Sequence, residues 1–145
     1  MSAPAIHLDL LPGPLALLRL SPTTPIPPWT AAAQNFLTIS RTPTELSIVA
    51  DARVVPADVA AERDYCAFRV RGPMPLHLVG VMAALAVPLA EAAVPIFVIA
   101  TYDTDYLLVK AADLEHARQA LERAGHLVFE IEGAADECGN RMTTA

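Results

Sequence analysis

Residues Pro95 to Lys110 read PIFVIATYDTDYLLVK, two apolar runs rich in β-branched and aromatic side chains around a short polar turn. That pattern predicts a β-hairpin. Two carboxylates, Asp103 and Asp105, stand in the turn, and no other stretch sets so much polarity between runs suited to a core. The elements predicted on either side of the hairpin fix the architecture.

Upstream, Cys66 to Arg71 (CAFRVR) alternates and predicts a strand, and Gly72, Pro73 and Pro75 predict a turn. Leu76 to Ala92 is rich in Leu, Val, Ala and Met and predicts a helix. Pro88 removes one of its hydrogen bonds, so a kink is expected near Ala84. Pro95 to Thr101 and Tyr106 to Lys110 are the hairpin strands. Asp113 to Ala124 predicts a second helix, with Leu114, Ala117, Leu121 and Ala124 on one stripe. Asp113 suits its N-terminus and Gly125 its stop. Leu127 to Glu132 is the last strand. The order β-α-β-β-α-β predicts an α+β, ferredoxin-like unit, an antiparallel sheet of four strands with two helices on one face.

An upstream segment repeats the hairpin. In FLTISRTPTELSIV (Phe36 to Val49), Phe36 aligns with Phe97, Ser40 with Thr101, Leu46 with Leu107 and Ile48 with Val109. On this alignment Thr44 falls where Asp105 falls, so only the second copy brings a carboxylate. Leu15 to Leu20 (LALLRL) resembles Cys66 to Arg71 as an opening strand. A Pro-rich piece with Pro22, Pro25, Pro27, Pro28 and Trp29 replaces the long helix. The expected organisation is a tandem pair: an abbreviated unit over 1–64, a complete unit over 65–132, and a polar, disordered tail over 133–145. Ile6 to Leu11 is expected to add a strand to the first unit, and Ala52 to Arg63 to hold a short helix beginning near Pro56 and Asp58.

Composition removes several function classes. The formal charge is −6 and no Lys/Arg cluster exists, which argues against nucleic acid and against an anionic membrane surface. Between Pro73 and Thr101 the only formal charge is Glu91, but Gly80, Pro88 and Pro95 interrupt the segment, so a buried helix followed by a buried strand is expected rather than a membrane span. No basic region precedes the N-terminal apolar run, which Pro12, Gly13 and Pro14 break, so a cytoplasmic protein is expected. The two cysteines, Cys66 and Cys138, form no disulfide framework or metal spacing; they are expected as a buried small hydrophobe and a free tail thiol.

The run GVMAALAVPLAEAAVPIFVIATYDTDYLLV (Gly80 to Val109) resembles the second unit of bacterial tandem ACT-domain proteins of the CASTOR type. LPGPLALLRL, PIPPW, FLTISRTPTELSIV and VPADV resemble the first unit, so the likeness spans roughly residues 8–131. The resemblance implies tandem ferredoxin-like ACT units that act as regulatory, non-catalytic modules. It implies an amino acid or related metabolite as ligand, held at an interface between units, together with homodimerisation and an unidentified downstream protein. In eukaryotic arginine sensors of this group, an aspartate at the position of Asp105 meets the ligand amine, and the threonine matching Thr101 lies nearby. Ala93 stands where the family commonly has glycine and Pro95 where it has a small residue; Pro95 stiffens the loop by fixing φ.

The chemistry of a zwitterion suits these positions. Asp105 offers an acceptor to an ammonium group. The turn Gly72 to Leu78, leading into a helix, offers backbone N–H donors to a carboxylate. The candidate ligand-binding residues are therefore Asp105, Thr101, Thr104, Asp103 and Tyr102 of the hairpin tip, Gly72, His77 and Leu78 of the turn, and Val94 before the strand. The plain alternative is a solvated hairpin tip and a simple turn. Asp103 and Asp105 share a strand face, but two carboxylates are too few for a metal without a third ligand, so no metal or cofactor is expected.

Four histidines, His7, His77, His116 and His126, show no ligand spacing. His116 and His126 are expected to be solvated, as are Arg69 and Arg71. Glu115 is placed to pair with Gln119 on the second helix, and Trp29 to plug the Pro-rich turn. No GxSxG, GxGxxG or P-loop is present, so an enzyme is not expected. A competing reading is a protein interaction module with a vestigial ligand site, since Leu76 to Ala90 offers more apolar surface than one sheet face needs.

Overall fold

The computed structural model describes residues 5–72, 79–131 and 138. In chain order the elements are β1 (His7–Leu10), β2 (Leu15–Leu20), β3 (Leu37–Arg41), β4 (Leu46–Asp51), β5 (Glu62–Val70), α1 (Val81–Glu91), β6 (Phe97–Ala100), β7 (Asp105–Lys110), α2 (Leu114–Arg123) and β8 (Leu127–Glu130). The chain divides into two compact units. One is Gly13–Tyr65; the other takes the described residues up to Pro12 and those from Cys66 onward.

Within Gly13–Tyr65, β4 lies between β2 and β3, antiparallel to both. Leu15 of β2 also pairs with Tyr65, and Leu17 with Glu62, across a shift of register. Alternate residues Ala16 and Leu18 meet Leu46, Ile48 and Ala50 in a buried cluster, and Trp29 packs against it beside the Pro-rich turn. A 3-10 turn, Pro28–Ala32, stands where a complete unit would have a helix. The helix expected near Pro56 and Asp58 is absent among the described residues. A 3-10 turn, Ala52–Val54, is followed by a loop. The Arg63 guanidinium donates to the carbonyls of Val55, Pro56 and Val59, supplying from a side chain the donors that a helix would take from its own backbone.

The other unit keeps the predicted order from β5 through β8, giving the α+β, ferredoxin-like class. β6 and β7 form the hairpin, with Phe97 opposite Leu108 and Ala100 opposite Asp105. β7 also pairs with β5. Leu8, Leu10, Cys66, Phe68, Val70, Leu107 and Val109 share one core with Leu85 and Leu89 of α1 and with Leu114, Ala117 and Leu121 of α2. Because strand side chains alternate, both helices therefore cover one face of this sheet. Burying such side chains contributes roughly 1.5–3 kcal/mol each.

The sheet departs from four antiparallel strands. Ile6 to Leu11, expected in the first unit, supplies β1 to this one. It is antiparallel to β5 (Asp9 opposite Arg69) and parallel to β8 (Asp9 opposite Phe129). Its Leu8 and Leu10 are fully buried in the same core as Cys66, Phe68 and Val70 of β5.

Both helices end in the same six-residue closure. In α2, Gly125 adopts a left-handed φ of 95°, its N–H reaches Glu122, and the N–H of His126 reaches Leu121. In α1, Ala93 takes the glycine position at φ 60°, with its N–H on Ala90 and that of Val94 on Leu89. α1 starts at Val81 because Gly80 precedes it in a left-handed conformation.

His126, expected in solvent, is buried. Its Nδ1 accepts the N–H of Ile6, which fixes the proton on Nε2, and Nε2 donates to the carbonyl of Ala84. Cys138, expected as a tail thiol, lies in the same apolar core as Cys66, as a small hydrophobe does; neither forms a disulfide. The rest of the segment expected to be disordered lies outside the described residues. Among the described residues no helix is long and apolar enough to cross a membrane.

Candidate functional site

The residues that alternate with buried Phe68 and Val70 are Arg69 in β5 and Arg71 just after it, and in β1 the residue between Leu8 and Leu10 is Asp9. Alternation sends all three to the helix-free side of the sheet. Asp9 and Arg69 are register partners, so their side chains meet. Asp9 Oδ1 accepts from Arg71 Nε at 2.9 Å and lies 2.9 Å from Nη2, while Oδ2 accepts a longer 3.4 Å bond from Arg69 Nη2. The Arg71 guanidinium also lies over the Phe129 ring, 3.9 Å from its centroid, and His7 packs on the same ring. The arginines expected to be merely solvated are thus organised by a buried carboxylate, because β1 lies between β5 and β8.

The tip of the β6–β7 hairpin closes on this cluster. Thr101 bonds the carbonyl of Thr104 through its N–H (2.8 Å) and its hydroxyl (3.0 Å). The buried Thr104 hydroxyl donates to the carbonyl of Val70 at 2.6 Å, tying the tip to the end of β5. The result is a cavity of about 440 Å³. Asp9, Arg69 and Arg71 line it from the strands, and Gly72, Asp103, Thr104 and Tyr106 line it from the turn and the hairpin.

Of the residues nominated from sequence, Gly72, Asp103 and Thr104 line this cavity. Thr101 sits in the turn and Tyr102 projects from it, 80% exposed. Asp105 is half-buried, begins β7 opposite Ala100, and lies on the side of Leu107 and Val109, away from the cavity lining. Val94 is a core residue. His77 and Leu78 lie outside the described residues. Among the described residues neither the Asp103 nor the Asp105 side chain has a hydrogen-bond or ion-pair partner, and no cluster of metal-ligating side chains occurs.

Asp9, Arg69, Arg71 and Tyr106 were not nominated. A signal was present: one acid inside the apolar strand HLDL, and two arginines on one side of CAFRVR.

The hairpin repeat holds in structure with a shifted correspondence. Thr42 N–H and hydroxyl bond the Glu45 carbonyl as those of Thr101 bond Thr104. Leu46, not Thr44, therefore stands at the position of Asp105, and it is fully buried. The apolar alternation alone allows either alignment, since both keep the same side chains inward.

Residues 60–123 match the ACT domain family, and residues 13–58 match a separate N-terminal-domain family. The crystal structure of protein Atu0741 from Agobacterium tumefaciens is 35% identical, with a TM-score of 0.83, over 90% of this chain and 96% of that one. Protein VC0802 from Vibrio cholerae, of unknown function and described as a possible transport protein, is 22% identical, with a TM-score of 0.67, over 83% and 90% of the two chains. The ligand-free regulatory subunit of aspartate kinase from Thermus thermophilus is 17% identical, with a TM-score of 0.53, over 79% and 93%. No curated protein sequence matches.

Proposed function

Since the chain belongs to the family of the Agobacterium tumefaciens protein Atu0741, and residues 60–123 match the ACT domain, we propose that it is a regulatory module that binds an amino acid or related small metabolite and catalyses nothing itself. The observation that carries the reading is the cavity at the hairpin tip, where charged groups of both signs converge on one space. A zwitterion needs an acceptor for its ammonium and donors for its carboxylate, and a charge-assisted hydrogen bond of either kind is worth roughly 1.5–3 kcal/mol. Asp103 and Thr104 of the hairpin tip, with Gly72, face the ligand in this reading, and Asp105, on the other side of β7, is tested as the competing carboxylate. The ligand state passes to a downstream protein in the cytoplasm, and the working form is a homodimer.

A thermal-shift screen of the purified protein against the twenty amino acids and common metabolites, repeated on Asp105→Ala, tests this. A ligand at a hundred times its dissociation constant adds about 2.7 kcal/mol, a shift of several degrees. A hit lost in Asp105→Ala supports the sensor with its site at Asp105. A hit that survives keeps the sensor and moves the site away from that carboxylate. No hit rejects the sensor.

The second reading is an interaction module with a vestigial site. Exposed Phe97, Val98, Leu127, Phe129 and Ile131 on β6, β8 and the residue after it favour it. A stable dimer that responds to no ligand decides for this reading; a strictly monomeric protein decides against it.

A further inference from the structure

We propose that the cavity beside β5 takes a small polar amino acid, its carboxylate on Arg69 and its ammonium on Asp103, and discriminates against aliphatic side chains. The proposal rests on the ligand-binding reading above and names the groups and the ligand class.

The charge balance selects the two groups. Asp9 is committed chiefly to Arg71, which it meets through Nε and Nη2 at 2.9 Å. Arg71 is further held over Phe129. Arg69 keeps one longer contact at 3.4 Å, and Asp9 is its sole partner among the described residues. Most of the Arg69 N–H donors are therefore uncommitted, on a side chain 39% exposed to the cavity and solvent. A guanidinium with a free edge matches a carboxylate fork. On the other wall Asp103 has no partner among the described residues, and the Thr104 hydroxyl bond to Val70 anchors its turn. Among the described residues, one cation with most of its donors open and one anion without a side-chain partner face one cavity. A zwitterion satisfies both, whereas a simple anion or a simple amine leaves one of them unpaired.

The lining also sets the side chain. Among the described residues, every lining residue is charged, polar or glycine, apart from the ring of Tyr106. Among the described residues the lining offers no Leu, Ile or Val to pack an aliphatic side chain against, whereas a polar one meets charged and hydroxyl groups it can hydrogen-bond. Arg71, fixed on both sides, acts as a positioning residue that keeps Asp9 from closing on Arg69.

Isothermal titration with each of the twenty amino acids is run on the wild type, Arg69→Gln, Arg69→Lys and Asp103→Asn. A polar amino acid is expected to bind the wild type. Arg69→Gln and Asp103→Asn each weaken it by roughly tenfold or more, and Arg69→Lys by less than Arg69→Gln. The 2-hydroxy acid corresponding to the ligand, which lacks the ammonium, binds the wild type and Asp103→Asn equally weakly. An aliphatic amino acid as the tight ligand, or unchanged affinity in both neutralising variants, overturns this proposal and leaves the amino-acid module standing. Silence from all twenty overturns this proposal, and the metabolites of the thermal-shift screen then decide whether the ligand-binding module stands. Asp103 is exposed on a turn, so Asp103→Asn carries the test if Arg69→Gln fails to fold.

Discussion

The His126 ring donates its Nε2–H to the carbonyl of Ala84 at 3.0 Å. In an unbroken helix that oxygen would accept the N–H four residues on, but position 88 is proline and has none. The imidazole replaces the missing donor, and its other nitrogen accepts the N–H of Ile6 just ahead of β1. His126→Phe keeps the ring volume and leaves both backbone groups unpaired. It is expected to lower stability by about 2–4 kcal/mol, read from urea unfolding.

Ala93 holds at φ 60° a conformation that side chains with a Cβ rarely adopt. Ala93→Gly relieves that strain and is expected to stabilise by about 1 kcal/mol, raising Tm by a few degrees. The reciprocal change, Gly125→Ala, meets no atom within 4 Å yet forces a Cβ onto φ 95°, and it is expected to lower stability by about the same amount. Calorimetry on the two variants checks both signs.

Asp51 is buried and accepts three successive backbone N–H groups, those of Gln34, Asn35 and Phe36, at 2.9–3.0 Å. Asp51→Ala strands these donors and is expected to cost about 3 kcal/mol, with Asp51→Asn costing less. The single tryptophan, Trp29, packs in the same unit and reports the loss by its fluorescence during denaturation.

Hydrogen bonds from Arg118 hold the Glu115 carboxyl below its ordinary value, against the opposing pull of desolvation. A depressed folded-state value means that the pair stabilises the fold above pH 4.5 and loses that contribution as acid carries the solution through the folded-state value. Both side chains are substantially exposed, so the contribution is under about 0.5 kcal/mol. Arg118→Gln is expected to return the Glu115 titration toward its ordinary value, as followed by carboxyl NMR.

Short-range patterns made much of the fold readable. The β6–β7 hairpin, the α2 stripe and the Gly125 stop depend on residues within a few positions of one another. The partner of β1 did not, because HLDL fits any apolar strand row and only the whole sheet decides which row is open. His126 reads as a surface histidine after a helix stop until Pro88 exposes a carbonyl 42 residues earlier in the chain. The candidate site divides the same way. Gly72, Asp103 and Thr104 announce themselves as turn residues. The Asp9–Arg69–Arg71 cluster exists only because a distant strand enters beside β5.

That strand sets a constraint on synthesis. Residues 7–10 leave the ribosome well before residues 127–130, the strand that flanks them on one side. Until then Leu8 and Leu10 have an incomplete home, and pairing across so long a stretch of chain is slow. The nascent protein therefore carries an apolar strand in waiting until residues 127–130 emerge, a natural handle for a chaperone and a natural weak point for aggregation.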